Sequence, residues 1–442
     1  QSRCLLALLE LHPEPLLATL PARTPTKLPA GGCFTDAFIF RSKEALKGAK
    51  GTPSDFLKNL KEPVAGARTA MRAADYLETT LTILKKELQK TVRREFNVTG
   101  DARVTENLQL TAFHTLFVRE HNRLATELRR LNPQWDGETL YQEARKILGA
   151  VMQIITYRDY LPLLLGDETK KHMPYYRGYD ESVDPTVANV FSLAFRFGHA
   201  QIPPMVSRLN DCFQTLQPYS HVPLHLTFCA SWRIVMEGGI DPLFRGLLVD
   251  HAKLMKQNQM VFQELQERLF EQVEIMGLDL AALNLQRGRD HGLAGYNAWR
   301  GLCGLSQPCN EAELAEVLHN PELAKKFIEL YGTPDNIDIW VGALAEPFIS
   351  KGRIGPLLAC LIGSQFRKIR DGDRFWWENP RVFTPQQRQA LSKMTFSPLL
   401  CENTHITEVP KDVFKVNRYP RDFVNCTEIS SLDLSPWREK NH

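Results

Sequence analysis

Two segments of the chain carry side chains that could hold a transition metal. Phe195-Arg196-Phe197-Gly198-His199 ends on an imidazole, and Ala282–Gly292 carries Asn284, Arg287 and Asp290. A neutral ring nitrogen can ligate a metal when a second polar side chain engages the opposite nitrogen, which fixes the tautomer and raises the basicity of the ligand. Asn284 offers an amide oxygen that can accept a hydrogen bond, and Arg287 a guanidinium with several donors. On residue types alone, a histidine such as His199 is more often a packed or surface residue than a ligand, and Arg287 with Asp290 can be read as an ordinary ion pair three residues apart.

The elements that must position these groups read as helices. In Leu110–Leu131 the apolar residues Leu110, Phe113, Leu116, Phe117, Leu124 and Leu128 recur close to helical spacing and define one buried face. A second helix is expected through Gly137–Leu161. Asp184-Pro185 reads as an N-cap followed by proline at the first helical position, with the helix running through to His199 and stopped by Pro203-Pro204. No solenoid-period repeat and no low-complexity tract is present.

Other chemistries find little support. No HExxH helix, GxxxxGK[ST] loop, GxSxG elbow or full EF-hand loop occurs. Asp371-Gly372-Asp373 is a fragment of a calcium-like pattern, and Pro223 breaks the helix that would align His221 with His225. Cys303 and Cys309 could suggest a metal pair. Trp340, Trp376 and Trp377 read as core residues.

With 442 residues, 43% of them hydrophobic, the chain can bury a large core. A net charge of +3 with 24% charged residues argues against a nucleic-acid surface and leaves small anions as plausible partners. No run of about 20 apolar residues occurs, so no transmembrane helix is expected. The nine scattered cysteines suit disulfides in an oxidising compartment, with at least one thiol left free or paired to another chain. The sequons at Asn97 and Asn425 agree, and the expected location is secreted or in a secretory granule. The Leu-rich opening, interrupted by Glu10, His12 and Pro13, reads as a trimmed leader. Composition shifts near residue 100: residues 41–96 read as one or two amphipathic helices ending in Lys90, Arg93 and Arg94.

Taken together with Gly100–Asn107, REHNRLATEL, EGGIDPL, GTPDNIDIW, RDGDRFWWEN and NRYPRDFVNC, these segments resemble the animal haem peroxidase family, in its lactoperoxidase, myeloperoxidase and eosinophil peroxidase group. The resemblance runs from about Gly100 to Trp437 and implies a mainly α, apparently truncated animal haem peroxidase fold. It divides the chain into a leader and pro-region-like helical segment, 1–99, and the proximal-side portion of a catalytic domain, 100–442. The join near Thr99 and Gly100 reads as a deletion.

The resemblance implies haem b as cofactor, with His199 as proximal iron ligand, Asn284 accepting its N–H and Arg287 pairing with a propionate. Arg103 would be the distal arginine and Glu106 the residue that forms an ester with a haem methyl. Asn107 stands where the myeloid enzyme has a methionine, so a sulfonium link is not expected. The family pairs Cys303 with Cys360 and Cys401 with Cys426. No segment resembles the Leu-Asp-His-Asp motif that supplies the family's distal histidine, and the family's calcium loop is missing with it; His251 and His291 are the candidate substitutes, or plain surface and supporting histidines. The implied activity is oxidation of thiocyanate, halides or small phenols by hydrogen peroxide in host defence. The alternative is a non-catalytic secreted form that binds haem or associates with another chain.

Overall fold

The computed structural model describes residues 102–439 except 272 and 274–276. These residues belong to the compact unit Val98–His442. The reading of residues 41–96, the sequon at Asn97, Cys4, Cys33 and the join at Thr99 and Gly100 lie outside the described residues.

Among the described residues the architecture is mainly helical, with two small antiparallel ribbons. The first two helices, α1 (Leu108–Leu131) and α2 (Gly137–Ile154), pack on each other. Asn107 caps α1 through its side-chain oxygen, which accepts from Leu110 N–H at 3.0 Å, and Asp136 caps α2 in the same way. The expected apolar stripe of α1 is buried at Leu116, Leu124 and Leu128, whereas Leu110 at its start is exposed.

Beyond α2 the helix widens into a π-turn over Ile155–Tyr160, where Leu161 N–H reaches back five residues to Thr156 O. Pro162 is the local cause: it offers no N–H and its ring crowds the carbonyl of Arg158. The widened turn sends the Arg158 guanidinium to Ser392 O and Met394 O, at 2.8 and 2.5 Å.

The core of the unit is built by α3 (Phe191–Ala194), α4 (Leu280–Asp290), α5 (Tyr296–Leu302), α6 (Glu311–Leu318), α7 (Pro321–Tyr331), α8 (Ile339–Ala345) and α9 (Pro356–Asp371). Leu193, Phe197, Tyr296, Leu318, Trp340, Leu344, Leu357 and Ile362 meet in one buried cluster. Trp340 and Trp376 are core residues, as expected. Cys303–Cys360 ties the end of α5 to α9, and Cys401–Cys426 joins the helix at residues 396–403 to the end of the 423–425 strand, both in the pairing the resemblance implies. Closing loops of 57 and 25 residues contributes roughly 3–4 kcal/mol each on a chain-entropy basis. Cys212 and Cys309 are exposed free thiols. The ribbons pair β1 (Met205–Val206) with β2 (Val222–Pro223), and β3 (Glu408–Pro410) with β4 (Phe423–Asn425).

One expected boundary is wrong. No helix starts at Asp184-Pro185; helix α3 begins at Phe191. The Asp184 carboxylate turns onto its near neighbour instead, accepting from Thr186 N–H and Thr186 Oγ1, both at 2.9 Å. Gln365 on α9 then claims the backbone on either side, accepting from Ala188 N–H and donating to Thr186 O. These local and tertiary bonds occupy the groups a helix would have used. The stop at Pro203-Pro204 holds, since the helical path ends at Gln201 and Ile202 is extended.

Candidate functional site

His199 lies on a 3-10 segment, Phe195–Gln201, that continues directly from α3. The opposing element is α4, capped by the Asp279 carboxylate on Ala282 N–H at 3.0 Å. Asn284 and Arg287 are three residues apart and share one face of α4, and Gly288 lets α4 approach Leu193 of α3. Asn284 is fully buried, with Nδ2 at 3.0 Å from His199 Nδ1.

The buried Oδ1 of Asn284 has no partner. The two ends of an amide are nearly isosteric, and the choice between them sets the imidazole tautomer. With Nδ2 on Nδ1, the ring proton sits on Nε2. With Oδ1 there, the proton sits on Nδ1 and the Nε2 lone pair is available to a metal. Nε2 itself has no hydrogen bond among the described residues. Burial, helped by the positive charge of Arg196 and opposed by the Asn284 hydrogen bond, pushes His199 down to about 4. The ring is therefore neutral at physiological pH, the form that ligates metals.

Arg196 stands one turn before His199 and was not foreseen from the sequence, although its three-residue spacing was the available signal. Burial holds its guanidinium below the ordinary arginine value, Arg287 and then Arg103 add to this, and Glu106 opposes it. Arg103, Glu106, Arg196 and Arg287 thus share one electrostatic neighbourhood with His199. Arg287 also pairs with Asp290 at 3.8 Å, so the ion pair read from the sequence exists.

Arg103 lies on the 3-10 turn Ala102–Thr105, and Glu106 N–H closes that turn on Arg103 O at 2.9 Å. The Glu106 carbonyl accepts from Cys229 N–H at 3.1 Å. Trp340, another residue missed as a site support, donates its indole N–H to Arg196 O at 3.2 Å and so fixes the start of the His199 segment.

Other sequence candidates fall elsewhere. His251 is exposed, and His291 Nδ1 lies 3.1 Å from Ser192 Oγ. His225 bonds Glu264 at 2.7 Å, while His221 meets Thr215. Asp371 is engaged by Arg367 and Arg370, and Asp373 by Gln153 and Phe375 N–H. A cavity of about 1060 Å³ opens between α1 and α2, lined by Phe113, His114, Phe117, His121 and Phe383. It contains none of the clustered residues, so size alone does not mark the chemistry.

The residues at His199 fit a haem. One imidazole nitrogen is held by a buried amide, the other has no hydrogen bond among the described residues, and arginines able to meet acidic side groups stand beside it. A helical scaffold with these residues around one buried histidine suits the haem-peroxidase class. The animal haem peroxidase family model matches residues 52–414, and the chain belongs to that family.

Among relatives, human lactoperoxidase is 54% identical over 412 residues, covering 91% of this chain and 57% of its own. Human eosinophil peroxidase is 61% identical over 340 residues, covering 77% and 48%. Peroxidase A from Dictyostelium discoideum superposes with a TM-score of 0.64 at 33% identity, over 71% of this chain and 59% of that one. The chain therefore spans about half the length of the curated relatives it matches.

Proposed function

We propose that the protein is a haem-dependent peroxidase that oxidises small anionic or phenolic donors, such as thiocyanate and halides, with hydrogen peroxide in host defence. The observation that carries this reading is the buried Asn284–His199 contact, flanked by Arg196 and Arg287. Haem b, when bound, would supply the redox chemistry of its iron.

His199 would be the iron ligand through Nε2. Asn284 would accept from Nδ1–H, orienting the ring and raising its donor strength. Arg287 and Arg196 would meet the haem carboxylates, with the bidentate geometry that guanidinium allows. Arg103 would place a positive charge where negative charge develops on a departing oxygen, and Glu106 would form the ester to a haem methyl. Asn107, engaged as the cap of α1, has no sulfur for a further link. Calcium binding belongs to the family and has no assigned ligands here.

The same proposal takes residues 100–442 as the catalytic portion, with 1–99 as a leader and pro-region-like segment, and places the protein outside the cell or in a secretory granule. No helix among the described residues is long and apolar enough to cross a membrane.

A second reading is a non-catalytic haem-binding or chain-associating form, favoured by the lack of a Leu-Asp-His-Asp motif in these 442 residues. Absorption spectra of the purified chain, supplied with haem, test the first step. A Soret band lost in His199→Ala supports the assignment, and its persistence in that variant overturns it. Peroxide turnover then separates the two readings: a haem-loaded protein that oxidises no donor is the second.

A further inference from the structure

The segment that carries His199 is gripped at both ends. Trp340 of α8 holds Arg196 O at its start, and the backbone N–H of Lys253 holds Gln201 O at its end, at 3.0 Å. Lys253 opens a loop, residues 253–262, that has almost no regular structure yet presents this donor at a fixed place. We infer that Lys253 is a positioning residue for His199, its ammonium serving as the internal organiser of the loop that clasps the His199 segment. The inference rests on His199 being the functional imidazole.

The Lys253 side chain folds inward rather than into solvent, and only 9% of the residue is exposed. Its Nζ donates to three backbone carbonyls of its own loop, Leu254 O at 3.2 Å, Gln259 O at 2.5 Å and Met260 O at 3.1 Å. It also sits 5.3 Å from the centre of the Phe262 ring. No carboxylate pairs with it among the described residues, so this is not a buried ion pair; the charge is met by carbonyl dipoles and a ring face. Burial, with Lys256 adding to it, holds the ammonium below the ordinary lysine value.

An ammonium with three donors in a tetrahedral spray matches three convergent carbonyls, and no other side chain has that geometry. Without it, three carbonyls would face one another in a largely buried space.

The outer side of the loop is anchored as well. Gln257 Nε2 donates to Leu318 O and Ala345 O, both at 2.8 Å, and its oxygen accepts from Asn320 Nδ2 at 2.8 Å. Ala345 ends α8, the helix that carries Trp340. One helix therefore supports both grips on the His199 segment, directly through Trp340 and indirectly through the loop.

The test compares the full-length chain with Lys253→Met, Lys253→Arg and the exposed control Lys256→Met, all without haem. Two quantities are read: amide hydrogen exchange along the chain, and the rate at which diethyl pyrocarbonate modifies His199, mapped by peptide mass spectrometry. In Lys253→Met, exchange over residues 199–202 and 253–262 should rise by about tenfold or more while α1 and α9 keep their protection. His199 modification should accelerate several-fold. Lys253→Arg should not restore either quantity, because a planar fork cannot reach three carbonyls from one point, and Lys256→Met should change neither.

Wild-type rates at His199 and across 199–202 in Lys253→Met would overturn the inference. So would a rise spread evenly over α1 and α9, which marks general destabilisation. If Lys253→Met fails to fold, the wild-type protein decides: the Lys253 amide must exchange far more slowly than those of exposed neighbours such as Asn258, and equal rates would overturn the inference. The haem assignment fails separately, through a wild-type chain that gives no Soret band.

Discussion

Asn284 and His199, 85 positions apart in the chain, meet through one amide and one ring nitrogen at 3.0 Å inside the protein. Which end of the Asn284 amide faces Nδ1 sets the imidazole tautomer. Replacing Asn284 by Leu removes the partner of Nδ1 while keeping a branched side chain at that place, and haem affinity should fall about 10–100-fold, as for other supports of metal-binding histidines. Titration of the haem-free chain, followed at the Soret band, measures this; unchanged affinity would remove Asn284 from the site.

The arginines can be separated from the histidine by chemistry on the ligand. Arg196→Ala and Arg287→Ala should each weaken haem binding by about 1.5–3 kcal/mol, the range for hydrogen bonds to charged groups. Haem dimethyl ester, which lacks both carboxylates, should bind the wild type and these variants alike. Equal losses with haem and with its ester would show that the arginines act through the fold.

Asp279 offers a pH experiment. Its carboxyl caps α4, the helix of Asn284, and burial raises it above the ordinary Asp range despite the backbone N–H groups of Ala282 and Ala281 that favour the anion. A raised acid favours the folded state while it is protonated, below its unfolded value, and that contribution is lost as pH rises through the folded value. Asp279→Asn keeps a good N-cap without the charge. It should be more stable than wild type at neutral pH, and the advantage should vanish below the ordinary Asp range; urea melts at both pH values check the sign.

A buried network ties α5 to the segment after α8. Glu346, 1% exposed, accepts from Tyr296 Oη at 2.7 Å and from Leu357 N–H at 2.7 Å, and it pairs with the buried Arg300. Glu346→Ala strands that guanidinium and should cost about 3–5 kcal/mol. Glu346→Gln, which keeps the hydrogen-bonding shape, should cost less. Denaturant unfolding of both variants gives the comparison, and equal losses would mean that the charge is unimportant.

Much of this was legible in the sequence because it depends on local pattern or on extended resemblance. Helix α1 follows from apolar spacing and α2 was expected after it, although their Asn107 and Asp136 caps were not read, and the two disulfides follow from the family. The start of α3 was misread because Asp184-Pro185 satisfies a local rule that Gln365, 177 to 179 residues away from its partners, overrides. Arg196 was missed because its meaning comes from Arg103, Glu106 and Arg287, which converge only in three dimensions. Lys253 was unreadable for a similar reason: a lysine in a polar loop gives no sign that its ammonium points inward.

Helix α1 is the first long element of the described residues, yet its C-terminal end is completed by the last. Asn132, fully buried where α1 stops, donates to Trp437 O and accepts from Glu439 N–H, across 305 and 307 positions. At ribosomal speeds of about 5–20 residues per second, those partners arrive roughly 15–60 s after Asn132 has been made. Throughout that interval the nascent chain carries α1 without its closing bonds, so a ribosome that stalls late in the message leaves this helix, and not only the unmade tail, open to chaperones and proteases.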